Sequence, residues 1–200
     1  MGRVSTARGR LVQATIDLLW TESYGAVSVD AICERARVKK GSFYHFFKSK
    51  DELVIAALDA HWEARQPTLE KLFAPTRPPL ERLRAYFESV NTRQMELAKK
   101  FGRPPGCFYC KLGIEVSQGT AIGKKVQSIM AAYVAYYEST LVDAAAEGRP
   151  IVDVPGKARA LFAFMEGVLT QARINDDYEI MKNLGTSAMR FLGLGEEMAA

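Results

Sequence analysis

Apolar residues recur three and four positions apart along almost the whole chain, the spacing of one face of an α-helix, and strand-like alternation is nearly absent. Leu11, Ala14, Thr15, Leu18 and Leu19 form one face of a first helix, which "SYGAVS" breaks. Ser28 stands where it can cap a second helix with Val29, Ile32, Cys33 and Ala36 as its inner face. A short third helix is expected to begin near Gly41. Ser49 with Glu52 predicts a capping box for a long fourth helix, whose inner face holds Leu53, Ala57, Leu58, His61 and Trp62. "APTRPP" (74–79) and "GRPPG" (102–106) bracket a helix from about Leu80 to Phe101. A short helix is expected to start at Cys107. After "SQGTAIG" (117–123) a long one runs to about Ala146, and "EGRPIVDVPG" (147–156) is a loop. Two closing helices are expected over about 157–175 and 177–192. The fold class is all-α, with three short helices followed by five or six longer ones.

The stretch "VKKGSFYHFFKSKDEL" (38–53) interleaves three Phe, one Tyr and one His with four Lys. On a helix over 41–48, Phe43, Phe46 and Phe47 share one face, and Ser42, Tyr44, His45 and Lys48 lie largely on the others. A helix of about two turns is not stable alone. The three Phe are expected to anchor it in a groove between the first two helices, leaving a basic, hydrogen-bonding face outward. Helix, tight turn and second helix make a helix-turn-helix of the kind that fits the major groove of duplex DNA.

Charge sharpens that picture. The net charge is +4, but residues 1–50 carry +5 and residues 51–200 carry −1. A basic head on a neutral body suits a polyanion-binding module. At 48% apolar residues there is ample material for a core, and no uncharged apolar run approaches the length of a membrane span. The basic start "MGRVSTARGR" is followed by no apolar signal core. A cytoplasmic protein with no membrane association is therefore expected, and three Cys there predict no structural disulfide framework.

The segment "VDAICERARVKKGSFYHFFKSKDEL" resembles the DNA-binding segment of the TetR family of bacterial transcriptional regulators, over about residues 8–62. Beyond residue 62 the pattern is satisfied as a helical ligand-binding and dimerisation body. The resemblance implies a DNA-binding domain over 1–52 and an effector-binding and dimerisation domain over 53–200. It implies a homodimer on a palindromic double-stranded operator, with half-sites about 34 Å apart. It also implies roles for individual residues. Lys50, Tyr44, Ser28, Lys48 and the Arg8/Arg10 arm are phosphate candidates. Lys39, Lys40, Gly41, Ser42 and His45 are base-reading candidates. Arg37 departs from the family pattern, which commonly has Gly there; a left-handed cap would cost a non-Gly residue about 1 kcal/mol. Dimerisation implied by the resemblance falls on the closing helices, through Leu161, Phe162, Met165, Val168, Leu169 and Ala172 and then Ile180, Leu184, Ala188, Phe191 and Leu192.

"PPGCFYCKLGIEV" resembles the "GC…KL…EV" stretch of the TetR subgroup of N-ethylmaleimide-reductase repressors, which respond to electrophiles and oxidants. "QARI" (171–174) resembles a Gln-Ala-Lys-Ile stretch there, with Arg173 in place of Lys. Cys107 follows Pro-Pro-Gly at an expected helix start, where the helix dipole favours a thiolate, with Arg103 and Lys111 close in sequence. Cys110, one turn on, could resolve a sulfenic acid. The other reading is that Cys107 and Cys110 are small apolar residues and that the inducer is a non-covalent ligand among the many aromatics of the body. No catalytic triad, phosphate loop, metal quartet or cofactor motif is present, so neither an enzyme nor a metal site is expected. An architectural DNA-binding protein leaves the aromatic body without purpose. A thiol-disulfide enzyme lacks the βαβ setting that "CFYC" would need.

Overall fold

The computed structural model describes residues 6–194. The first five residues of the basic start, and the outer ends of both expected domains, lie outside them. Among the described residues all regular structure is helical. The helices are α1 (Ala7–Thr21), α2 (Val29–Ala36), α3 (Lys40–Phe46), α4 (Lys50–Leu72), α5 (Pro79–Phe101), α6 (Phe108–Glu115), α7 (Ala121–Ala146), α8 (Val154–Asn175) and α9 (Leu184–Phe191), with a 3-10 turn at Glu179–Met181. Two compact units result. One takes the chain up to Gln66 together with Phe108–Ile129; the other takes Pro67–Cys107 and the chain from Met130 onward. α4 and α7 each contribute to both, and Pro67, inside α4, marks the first division.

In the first unit, α1 starts at Thr6, whose hydroxyl accepts the Gly9 N–H, and buries Leu11, Val12, Ile16, Leu19 and Trp20. Ser28 caps α2 by accepting the Ala31 N–H at 3.1 Å. α2 ends with Arg37 in the left-handed region (φ 52°, ψ 48°). The Arg37 N–H reaches the Glu34 carbonyl and the Val38 N–H reaches the Cys33 carbonyl, both at 3.0 Å. These are the two hydrogen bonds of a Schellman cap. Two satisfied carbonyls hold Arg37 where glycine is usual, against a cost of about 1–2 kcal/mol for an L-residue there.

The box expected at α4 forms with a shift. The Glu52 N–H donates to Ser49 Oγ at 3.2 Å, but the Glu52 carboxylate accepts from the Lys48 N–H at 2.7 Å, one residue earlier than a reciprocal box requires. α6 packs on this unit through buried Phe108 and Tyr109. Phe108 lies 5.1 Å from the Trp20 ring and 4.6 Å from the His61 ring, centroid to centroid. Buried His61 shares a hydrogen bond of 2.7 Å between its Nδ1 and the Tyr109 hydroxyl.

The second unit is built on an aromatic core. Tyr86, Phe87 and Tyr137 are fully or almost fully buried, and Phe73 stacks on Tyr136 at 4.9 Å. The hydroxyls of Tyr86 and Tyr137 both donate to the Met165 sulfur, at 3.5 and 3.3 Å. Burial pushes the Tyr137 phenol well above its ordinary range. Buried Arg82 gathers the breaker segment by donating to the carbonyls of Arg77 and Pro75 and to Asp143.

Two expectations for the closing helices are corrected. α8 starts at Val154 rather than near residue 157, because Asp153 caps the Gly156 N–H and Pro155 sits in the first turn with φ already set. The helix expected over 177–192 is a 3-10 turn followed by eight-residue α9. Asp176 turns left-handed (φ 51°) and Asp177 accepts the Glu179 N–H at 2.8 Å, so local bonds displace the helical ladder. The apolar stripes divide as well. Leu161, Phe162, Met165, Leu169, Ala172, Leu184, Ala188 and Leu192 are buried within the chain itself, whereas Phe191 is 50% exposed and stacks on half-buried Phe164 at 5.1 Å.

Candidate nucleic-acid interface

α3 is seven residues long and has no side-chain cap. Packing holds it. Phe43 is completely buried, and Phe47 is buried from the extended residue that ends the helix. Phe46, expected as a third anchor, is half-buried, because the helix stops there and its ring lies against His45 at 4.9 Å. With Phe43 inward, Lys40, Gly41, Tyr44 and His45 face out, and Ser42 is half-buried. Tyr44 is 57% exposed and rests edge-on against Phe43 at 5.0 Å. Lys39 and Lys48 are exposed at the two ends. Beyond its chain neighbours and the backbone of its own helix, nothing lies within 4 Å of where a Cβ on Gly41 would stand, so packing does not demand glycine there.

Several of the expected cations are already engaged. Lys40 pairs with Asp30 of α2 at 2.8 Å, and that hydrogen bond raises its ammonium above the ordinary range. Cys33, beneath them, has its thiol pushed up by burial first and by Asp30 second. Arg10 donates to the Ala36 carbonyl at 3.2 Å, and the Arg8 guanidinium lies 5.3 Å from the Phe47 ring centroid. Lys50 donates to the Tyr24 carbonyl at 2.9 Å and sits 3.9 Å from the Tyr24 ring centroid. It holds the α1–α2 corner as well as opening α4.

Tyr24 is the hub of that corner. Its hydroxyl bonds Asp51 and its N–H bonds Glu115 of α6. Burial, then the hydrogen bond to Asp51, raise its phenol above the ordinary range. One turn before Glu115, Lys111 caps α1 by donating to the carbonyls of Leu19 (3.2 Å) and Glu22 (2.6 Å), a cation at a helix C-terminus. The two clasps from α6, Glu115 to Tyr24 and Lys111 to the end of α1, were not legible in the sequence, since each joins residues about 90 apart in the chain. An open groove of about 750 Å³ between α1 and α2, with Arg10, Arg35 and Arg37 among its lining, was not legible there either.

The expected sensing residues fall in two places. Cys107 is half-buried and closes the first stretch of the second unit, one residue ahead of α6, which starts at Phe108. Cys110 is half-buried on α6, in the first unit. Neither of them, nor buried Cys33, is in a disulfide. Arg173 meets the loop before Cys107: its Nη1 donates to the Pro105 carbonyl at 2.6 Å. Its stem would lie 3.3 Å from a Cβ on Gly106, whose φ is +75°. Gln94 donates to the Gly106 carbonyl at 2.9 Å, while its own buried Oε1 has no partner. Among the described residues no group of three or more His, Cys, Asp or Glu could hold a metal, and no helix is long and apolar enough to cross a membrane.

Comparison with known proteins agrees with this geometry. The HTH-type transcriptional repressor NemR of Escherichia coli is 24% identical over 184 residues, 88% of each chain. The transcriptional regulator AcuR of Cereibacter sphaeroides is 34% identical over 114 residues, 56% of this chain and half the length of AcuR. The crystal structure of regulatory protein TetR from Rhodobacter sphaeroides matches with a TM-score of 0.79 at 25% identity, covering 94% of this chain and 97% of that one. Residues 11–57 match the model of bacterial regulatory proteins of the tetR family. Residues 79–187 match that of the tetracyclin repressor-like C-terminal domain. With a helix-turn-helix held by Phe43 in the first match and the aromatic core in the second, the chain belongs to the tetR family of bacterial regulatory proteins.

Proposed function

We propose that this transcriptional regulator is a homodimeric repressor that reads a palindromic operator with α3 and releases it when an effector acts on the body. The observation that carries the reading is α3 itself: one fully buried Phe43, and around it an outward row of donors. Lys39, Lys40, Ser42 and His45 face base edges in this reading, with Gly41 allowing close approach of the backbone. Tyr44, Lys48 and the hydroxyl of Ser28 face phosphates. Lys50 serves the phosphate side indirectly, by holding the Tyr24 corner. The DNA-binding domain is placed over 1–52 and the effector and dimerisation domain over 53–200.

For the effector, electrophile or oxidant chemistry at Cys107 is favoured by Arg173, whose guanidinium is anchored two residues away on Pro105. A cation there supports a thiolate, and a thiolate is the form that reacts with electrophiles and oxidants. Cys110 is the further thiol of this reading. A non-covalent inducer in the second unit is supported by a different observation, the buried Gln94 Oε1 that lacks a partner.

The two kinds of contact separate by substitution. Tyr44→Phe is expected to weaken binding to selected and random duplexes alike, whereas Ser42→Ala alters the preferred sequence. Fluorescence anisotropy on both duplexes, with affinity falling steeply between about 50 and 200 mM salt, checks this. If Ser42→Ala leaves preference intact and Tyr44→Phe leaves affinity intact, α3 is not the reading element.

Mild oxidant or N-ethylmaleimide is expected to release wild-type protein from DNA and to leave Cys107→Ser bound, followed by gel shift. Equal release of both proteins would move the sensor away from Cys107, towards a non-covalent site.

In this reading dimerisation uses the stack of exposed Phe191 on half-buried Phe164, from α9 and α8. Phe191→Lys is expected to shift sedimentation at micromolar concentration towards monomer without lowering helical content. An unchanged dimer would show that this face is not the interface.

A further inference from the structure

We propose that Asp30 sets the sequence discrimination of the head by holding the Lys40 ammonium, so that Lys40 acts as an aimed base-reading donor rather than as a free cation for phosphates. The inference rests on the reading that α3 meets base edges through Lys40.

The two residues come from different elements. Asp30 lies in the first turn of α2, and Lys40 is the first residue of α3. Asp30 Oδ1 and Lys40 Nζ are 2.8 Å apart, with the side chains 72% and 54% exposed. A carboxylate in the first turn of a helix is favourable for the helix, but that does not require it to reach across to α3. A pair this exposed contributes little to folding. Its consequence lies at the surface that DNA would meet. A carboxylate there repels every phosphate, whatever the base sequence. It also cancels the charge of the lysine that opens the reading helix.

The ammonium nonetheless keeps its chemistry. Of three N–H donors one is spent on Asp30 and two remain, enough for the N7 and O6 acceptors of a guanine. A long, flexible side chain is thereby confined to one direction. Lys40 then contributes little to attraction that is blind to sequence, which scales with the number of phosphates neutralised, and retains what depends on the base.

The test uses full-length protein: wild type, Asp30→Asn and Lys40→Ala. Each is put through selection from a random 30-base-pair duplex library, and through salt titrations on one selected and one random duplex. Asn suits a first turn and Asp30 is exposed, so thermal melting is expected to match wild type; Asp30→Ser provides a second variant of the same kind. Lys40→Ala is expected to relax preference at particular base pairs. Asp30→Asn is expected to relax the same base pairs and to lower the ratio of selected to random affinity by about 3- to 10-fold. It is also expected to steepen the random-duplex salt slope by about one. If Lys40→Ala relaxes those positions while Asp30→Asn leaves them intact, or changes all sequences alike, Asp30 does not act through Lys40. The proposal then falls and the assignment of Lys40 stands. If Lys40→Ala leaves the selected sequence unaltered, Lys40 does not read bases, and both fall.

Discussion

The burial of one side chain, Phe43, is the constraint on which the reading head depends. α3 has seven residues and no side-chain cap, so its own backbone bonds cannot sustain it. With Phe43 fully enclosed among α1 and α2, helix geometry leaves no choice about the remaining positions. Lys40, Gly41, Tyr44 and His45 then face out. Packing energy of the interior is in this way converted into the aim of a polar surface.

Around that anchor, polar clasps hold the elements that carry it. Tyr24 gathers Lys50 and Asp51 from α4 and Glu115 from α6, while Lys111 closes the C-terminus of α1. Within the first unit, α6 thus grips both the end of α1 and the corner that follows it. In the second unit Arg173 and Gln94 fix the carbonyls of Pro105 and Gly106, the two residues before Cys107. All but the Tyr24–Asp51 bond satisfy a backbone group at a helix end or in an irregular segment that would otherwise be left open.

Much of this was legible from periodicity and punctuation. The Ser28 cap, the Ser49–Glu52 signal, the Phe43 face and the break at "GRPPG" all depend on residues within about four positions of one another, where local rules operate. What stayed hidden depends on distance along the chain. No local pattern links Lys111 to Glu22, Tyr109 to His61 or Arg173 to Pro105. The division of apolar stripes was hidden for the same reason: Phe162 and Phe191 lie on similar helical faces, and only packing decides that one is internal and the other exposed. Around residues 176–183, left-handed Asp176 and the Asp177 carboxylate, which accepts a nearby backbone N–H, overrode helical periodicity.

The claim that Phe43 burial aims the reading surface is tested most directly by hydrogen exchange of the α3 amides in Phe43→Leu and Phe43→Ala, measured beside duplex affinity in the same samples. Truncation to Ala in a closed core costs about 3–5 kcal/mol, enough to free a helix of this length. The account predicts that protection of residues 40–46 and affinity for DNA fall together, modestly for Leu and severely for Ala, while the amides of α5 and α8 keep their wild-type protection. Wild-type affinity in a variant whose α3 amides exchange freely, or undiminished α3 protection in Phe43→Ala, would contradict it.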